Sequence, residues 1–138
     1  MRRFAQVAAG RVCAVGDTIV LGAEPASVGR ARRFCASLLD EWKASEDTID
    51  LVTLLVSELV TNVVLHAGTP FELVISGGDL LRVEVADGSD SMPVQKWYET
   101  DAGSGRGLHL LEALSDRFGA DVVPGGKRVW FEVGWQRA

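Results

Sequence analysis

The stretch from Ile49 to Val63 constrains this chain most. Ile49, Val52, Leu55, Val56, Leu59, Val60 and Val63 recur at three- and four-residue steps, which predicts a helix with a wide apolar stripe. Such a helix is stable in water only when neighbours cover it, so the chain has to build a second layer around it. The stretch does not read as a bilayer span, because Leu51 to Val64 carries Thr53, Ser57, Glu58, Thr61 and Asn62. Asp47 or Thr48 is the expected N-cap. The helix should stop near His66-Ala67-Gly68, where Gly68 can take the left-handed cap conformation and Pro70 prevents continuation.

The remaining pattern supplies that layer. Thr18 to Leu21 reads as a short strand. Pro25 and Ser27 then open a helix whose stripe is Val28, Ala31, Cys35, Leu38, Leu39 and Trp42, with Arg30, Arg32 and Arg33 mostly off it. Phe71–Ser76 and Leu80–Ala86 read as a hairpin around Gly77-Gly78-Asp79. Residues 87 to 107 show no sustained periodicity, and a loop of that length inside a compact domain is usually functional or disordered. Leu108 to Phe118 resumes helical spacing. Ala120–Val123 and Arg128–Trp135 read as strands around the Pro124-Gly125-Gly126 turn. Helices and strands are grouped and not strictly alternating, which predicts an α+β fold: a two-layer α/β sandwich with a mixed sheet and about three helices on one face. Residues 1–17 are expected to form an N-terminal extension or edge strand, and 18–135 the domain.

With 138 residues the chain is one domain on length alone. Its 14 basic and 19 acidic groups leave a formal charge of −5, which argues against coating nucleic acid. Cys13 and Cys35 form neither a CxxC nor a metal-ligand spacing, so two reduced thiols are expected. Gln6, Gly10 and Arg11 interrupt any signal-peptide core. A cytosolic protein with no membrane contact is the expectation.

Three features suggest chemistry. Glu58, Asn62 and His66 are spaced by four, so they form a polar stripe along an otherwise aliphatic helix. The bland alternative is the solvated side of an amphipathic helix. Asp87 ends the run Leu81 to Ala86 and precedes Gly88, where a plain turn residue would also be at home. Gly103-Ser104-Gly105-Arg106-Gly107 precedes Leu108, either as an anion-binding helix start or as a flexible lead-in. Familiar signatures are missing: the glycines do not make GxGxxG, Gly126-Lys127-Arg128 lacks the rest of a Walker loop, and neither GxSxG nor HExxH occurs.

In order and spacing, the three features resemble one family. Ser57 to Ala67 looks like the N box of the ATPase superfamily shared by gyrase, the heat-shock chaperone, histidine kinases and the mismatch-repair ATPase (GHKL). Val83 to Asp87 resembles the strand entering its first glycine box, and Gly103 to Leu108 its second. The nearest branch is the bacterial anti-sigma factor serine/threonine kinases. Gly125 to Glu132 is similar to the last strand of actinobacterial members, and Arg32 and Trp42 fall where such copies carry Arg and Trp.

The resemblance implies a histidine kinase-like ATPase domain that binds ATP and Mg²⁺. Asn62 would be the metal ligand, Glu58 the general base, and Asp87 the acceptor of the adenine amino group. Gly88, Gly103, Gly105, Arg106, Gly107 and Leu108 would line the nucleotide, residues 88–104 would be the lid, and His66 and Lys127 would support phosphate or lid contacts. The implied function is phosphorylation of an anti-sigma antagonist in partner switching, with a sigma factor or the small antagonist as partner, and homodimerisation. Departures are visible too. The first box reads Asp87-Gly88-Ser89-Asp90-Ser91 where the family has Asp-x-Gly-x-Gly, and Arg128 stands where a Thr is common. The lid carries Asp90, Glu99 and Asp101 against Lys96. A nucleotide-weak or nucleotide-independent binding module on the same fold, sequestering a sigma factor or antagonist, is therefore the alternative.

Overall fold

The structure is a computed structural model that describes residues 2–7, 13–88 and 105–137, with side chains over 16–88 and 109–137. The chain runs β1 (Arg2–Val7), β2 (Cys13–Leu21), α1 (Ala26–Glu41), α2 (Glu46–Asn62), a π-helical turn (Val63–Ala67), β3 (Phe71–Gly77), β4 (Leu81–Asp87), α3 (Gly105–Leu114), β5 (Arg117–Val123) and β6 (Gly126–Val133). The sheet order is β1-β2-β3-β4-β6-β5. Every described pairing is antiparallel, so the α+β sandwich is as expected but its sheet is not mixed.

Alternation along the central strands decides the layers. In β3, Phe71, Leu73 and Ile75 turn inward; in β4, Leu81, Val83 and Val85; in β6, Val129, Phe131 and Val133. They meet Val52, Leu55, Val56, Leu59 and Val60 of α2 and Ala31, Cys35 and Leu39 of α1, all buried in one core. By length and composition Glu46–Ala67 would suffice to cross a bilayer, contrary to the sequence expectation. Its apolar side is instead the centre of this core, as befits the middle helix of a folded domain. Burial pushes the Cys35 thiol up to about 12, because a thiolate there would lose its hydration.

Several boundaries differ from expectation for local reasons. The N-cap of α2 is Ser45, not Asp47 or Thr48: its Oγ accepts from the Thr48 N–H at 3.2 Å. Glu46 and Asp47 then lie in the first turn, where negative charge suits the helix dipole. The last helix ends at Leu114, and Phe118 belongs to β5 instead. There the Ser115 hydroxyl donates back to the Leu111 carbonyl, and the Asp116 N–H donates to the Glu132 carbonyl at 2.9 Å, which ties the chain to β6. Strand β2 begins at Cys13, so the boundary expected at residue 17 falls inside a strand.

Two tryptophans staple the end of the sheet near the β3–β4 turn. Trp42 stands edge-on to Trp135 at 6.4 Å between ring centroids, and a Cβ at Gly77 would lie 3.3 Å from its ring. The Trp135 Nε1–H donates to the Gly78 carbonyl at 2.9 Å. Trp42, singled out by the resemblance, is thus a packing residue at this end. Arg32 is exposed and lines a 320 Å³ cleft between α1 and α2.

Candidate functional site

The topology gathers one set of ends at the other pole of the sheet. Asp87, the last residue of β4, pairs in register with Lys127 near the start of β6 and with Phe71 at the start of β3. The chain reaches Phe71 from the end of α2 through Gly68-Thr69-Pro70, so Asn62 and His66 come to this pole as well. Helix α3 packs on α2 and delivers the chain to Arg117, which pairs with Glu132 at the far end of β6. Its N-terminus at Gly105 therefore points back toward the pole of Asp87. Thus a helix N-terminus and the ends of β4 and α2 come to one pole, although they are far apart in sequence.

The helix bearing the polar stripe changes character there. After Asn62 it widens into a π turn, closed by the Gly68 N–H donating to the Val63 carbonyl at 3.3 Å, with Gly68 in the left-handed region at φ 66°. Asn62 is 3% exposed, and its Nδ2 is buried with no hydrogen-bond partner among the described residues. An amide held this way costs about 1–3 kcal/mol unless something outside the chain engages it. A half-turn of the carboxamide presents oxygen in place of nitrogen, so the position suits a hard cation that takes oxygen ligands. Glu58 lies one helical turn earlier and half-buried, which does not fit the bland reading of a fully solvated face. His66 sits in the π turn, also half-buried.

Asp87 is not a turn residue. It is the last member of the inward row Leu81-Val83-Val85-Asp87 and is buried. Lys127 occupies the facing inward position on β6, with its Nζ 3.8 Å from Asp87 Oδ2 and the two side chains 4% and 1% exposed. The sequence expectation put Lys127 at the phosphates or lid; the structure puts it beside the carboxylate expected to read the base. Arg128, one position on, faces the opposite side of the sheet and pairs with Glu84 at 3.3 Å and Asp121 at 3.5 Å. It therefore takes no part at this pole.

Two residues that sequence reasoning missed hold the start of the long loop. Thr69 Oγ1 accepts from the Gly88 N–H at 3.1 Å and so ties the loop's first residue to the exit of α2. Gly126 lies so close to β4 that a Cβ there would overlap the Asp87 carbonyl oxygen and stand 2.8 Å from the Asp87 carbonyl carbon and 2.9 Å from Gly88 Cα. Nothing in the sequence marks Thr69, while Gly126 is legible as glycine but reads as a turn. The lid at 89–104, with Gly103, lies outside the described residues. Gly105, Arg106, Gly107 and Leu108 form the first turn of α3. Described clefts on the helical side, including one of 450 Å³ between β2 and α1, are lined by other residues.

A protein-family model for the histidine kinase-like ATPase domain matches residues 21–133. No curated protein matches the chain. The match spans most of the sequence, so the chain belongs to the histidine kinase-like ATPase domain family, and ATP binding comes with that membership.

Proposed function

We propose that this chain is an ATP-binding regulatory protein of the anti-sigma factor type. It would phosphorylate a serine or threonine of a small antagonist and thereby switch partners with a sigma factor, in the cytosol and as a homodimer. The observation that carries this reading is the buried Asn62 amide, whose Nδ2 has no hydrogen-bond partner among the described residues, one helical turn from Glu58 and at the same pole as Asp87. Packing alone gives no reason to keep those polar groups on the core helix.

Mg-ATP, when bound, supplies the phosphoryl group and the charge neutralisation around it. The roles of the protein follow from its own residues. Asn62 would hold the cation through its amide oxygen. Glu58 would accept the hydroxyl proton of the attacking residue at its carboxylate. Asp87 would hold the base through its exocyclic amine. The N-terminus of α3, with backbone N–H groups that have no helical partner, would face the phosphates.

A second reading is a capture module that holds its protein partner without depending on nucleotide. The proximity of Lys127 to Asp87 favours it, because a cation beside that carboxylate competes with a neutral amine for it. Titration calorimetry with ATP, with and without Mg²⁺, separates the two. Micromolar, magnesium-dependent binding that Asn62→Ala removes supports the kinase reading. Absence of binding at millimolar ATP removes it and leaves the capture module.

A further inference from the structure

We infer that α1 carries the contact face of the homodimer: its outer strip of Arg30, Arg33, Ser37, Asp40 and Glu41 packs antiparallel against the same strip of a second copy, with the two-fold axis near Ser37. This rests on the homodimer of the reading above and names its surface.

Charge runs along α1 in an order that the isolated helix does not favour. A helix prefers acids near its N-terminus and bases near its C-terminus, yet α1 has no acidic residue in its first turn and no basic residue in its last. Arg30, Arg32 and Arg33 crowd its N-terminal half instead, and Asp40 and Glu41 close it. A second copy laid antiparallel reverses the sign of that preference, because each basic end then meets an acidic end and the two helix dipoles oppose.

Helical geometry places the groups for such a contact. Arg33 and Asp40 are two turns apart, about 10 Å along the axis, and so share a side with Arg30, Ser37 and Glu41. Ser37 is small and exposed at the midpoint, so two helices can approach closely there. About that point an antiparallel copy sets Arg33 against the partner's Asp40 and Arg30 toward the partner's Glu41, with each contact made twice. All of the strip but Asp40 lines the 450 Å³ groove between α1 and β2, whose Ile19, Phe34 and Leu38 offer apolar surface to bury.

The charges are within reach of a partner. Arg33 and Asp40 are exposed and in no ion pair among the described residues. Arg30 meets Glu24 at 3.8 Å, but both side chains are more than half exposed, so that pair holds it weakly. The strip has two bases and two acids on a chain of formal charge −5, so here two acidic copies can meet without like-charge repulsion.

Sedimentation equilibrium of the full chain tests this face, with Arg33→Glu and Asp40→Arg run separately, mixed and combined. The parent should be a dimer. Each single reversal meets a like charge at both symmetric contacts, so its dissociation constant should rise about tenfold. Both reversals put charge where the helix dipole favours it, so thermal melts should show each variant folded. Should either not fold, Arg33→Gln and Asp40→Asn remove the charge without reversing it and should each weaken the dimer about threefold. An equimolar mixture of the two reversals should recover the parent's affinity as a heterodimer, and so should the doubly substituted chain, because both contacts are again opposite in sign. A parent dimer that neither reversal weakens, or a mixture that does not recover, would overturn this face while leaving the homodimer. A monomeric parent would overturn both, and the nucleotide part of the reading would still stand or fall by ATP calorimetry alone.

Discussion

Gly126→Ala tests how the pole of the sheet is assembled. The added Cβ would overlap the Asp87 carbonyl oxygen and press on the Asp87 carbonyl carbon at 2.8 Å and Gly88 Cα at 2.9 Å. All three are backbone atoms, so no side chain can swing aside; β4 and β6 must separate locally, where Asp87 pairs with Lys127. Overpacking of this kind costs about 1–3 kcal/mol. For a domain of this length 1 kcal/mol moves the midpoint by roughly 4 °C, so a fall of about 4–12 °C is expected. Gly125→Ala is the control. Its φ of 85° penalises any side chain, by about 1–2 kcal/mol, but a Cβ there meets nothing within 4 Å. Both variants should melt earlier, yet Gly126→Ala alone should weaken ATP binding, because it alone displaces Asp87. The assay is thermal unfolding by circular dichroism with calorimetry on both proteins. A Gly126→Ala protein that melts with the parent, or one that weakens ATP no more than Gly125→Ala does, would refute the reasoning.

Other substitutions probe separate links. Asn62→Ala should leave the melting midpoint unchanged or slightly raised, since it removes a buried amide without a partner among the described residues, while abolishing magnesium-dependent nucleotide binding; thermal melts and calorimetry read the two effects. Trp135→Phe removes the donor to the Gly78 carbonyl and should cost about 1 kcal/mol in urea unfolding with an unchanged slope. Thr69→Val should barely alter stability, because its bond to the Gly88 N–H is exposed, but should weaken nucleotide binding by loosening the start of the long loop. Cys35 gives a pH prediction. Its folded thiol titrates near 12 against 9 when unfolded, so the folded state holds the proton longer. The stability this contributes is full below pH 9 and falls by about 1.4 kcal/mol per pH unit as pH rises toward 12. Cys35→Ala should flatten that alkaline limb in melts taken from pH 8 to 11.

Much of this architecture was readable from periodicity. The apolar steps of α1 and α2 and the alternation of β3, β4 and β6 are consequences of burying one face, and burial leaves its period in the sequence. What blurred was governed by contacts over long separations. Residues 115–118 look helical until the Asp116 N–H finds the Glu132 carbonyl, a partner sixteen positions away. Ser45 outranks Asp47 as a cap because of where the preceding chain turns, and Gln136, whose carbonyl accepts the Ser45 N–H at 2.7 Å, helps set that turn. The mixed sheet failed for a topological reason: each strand returns beside its spatial neighbour in the opposite direction.

The sequence by itself determined which chemistry-bearing residues exist and how they are spaced. Four-residue spacing puts Glu58 and Asn62 on one helix face whatever surrounds them, because helical geometry is local. The glycine-rich lead into α3 was equally local. Only the tertiary structure decided what those residues face. Strand register brought Lys127 to Asp87 and turned Arg128 away, and a one-residue shift would have exchanged them, because side chains alternate along a strand. Register is fixed by the burial of the whole inward row and by the close approach at Gly126, and neither is a property of any short segment of the chain.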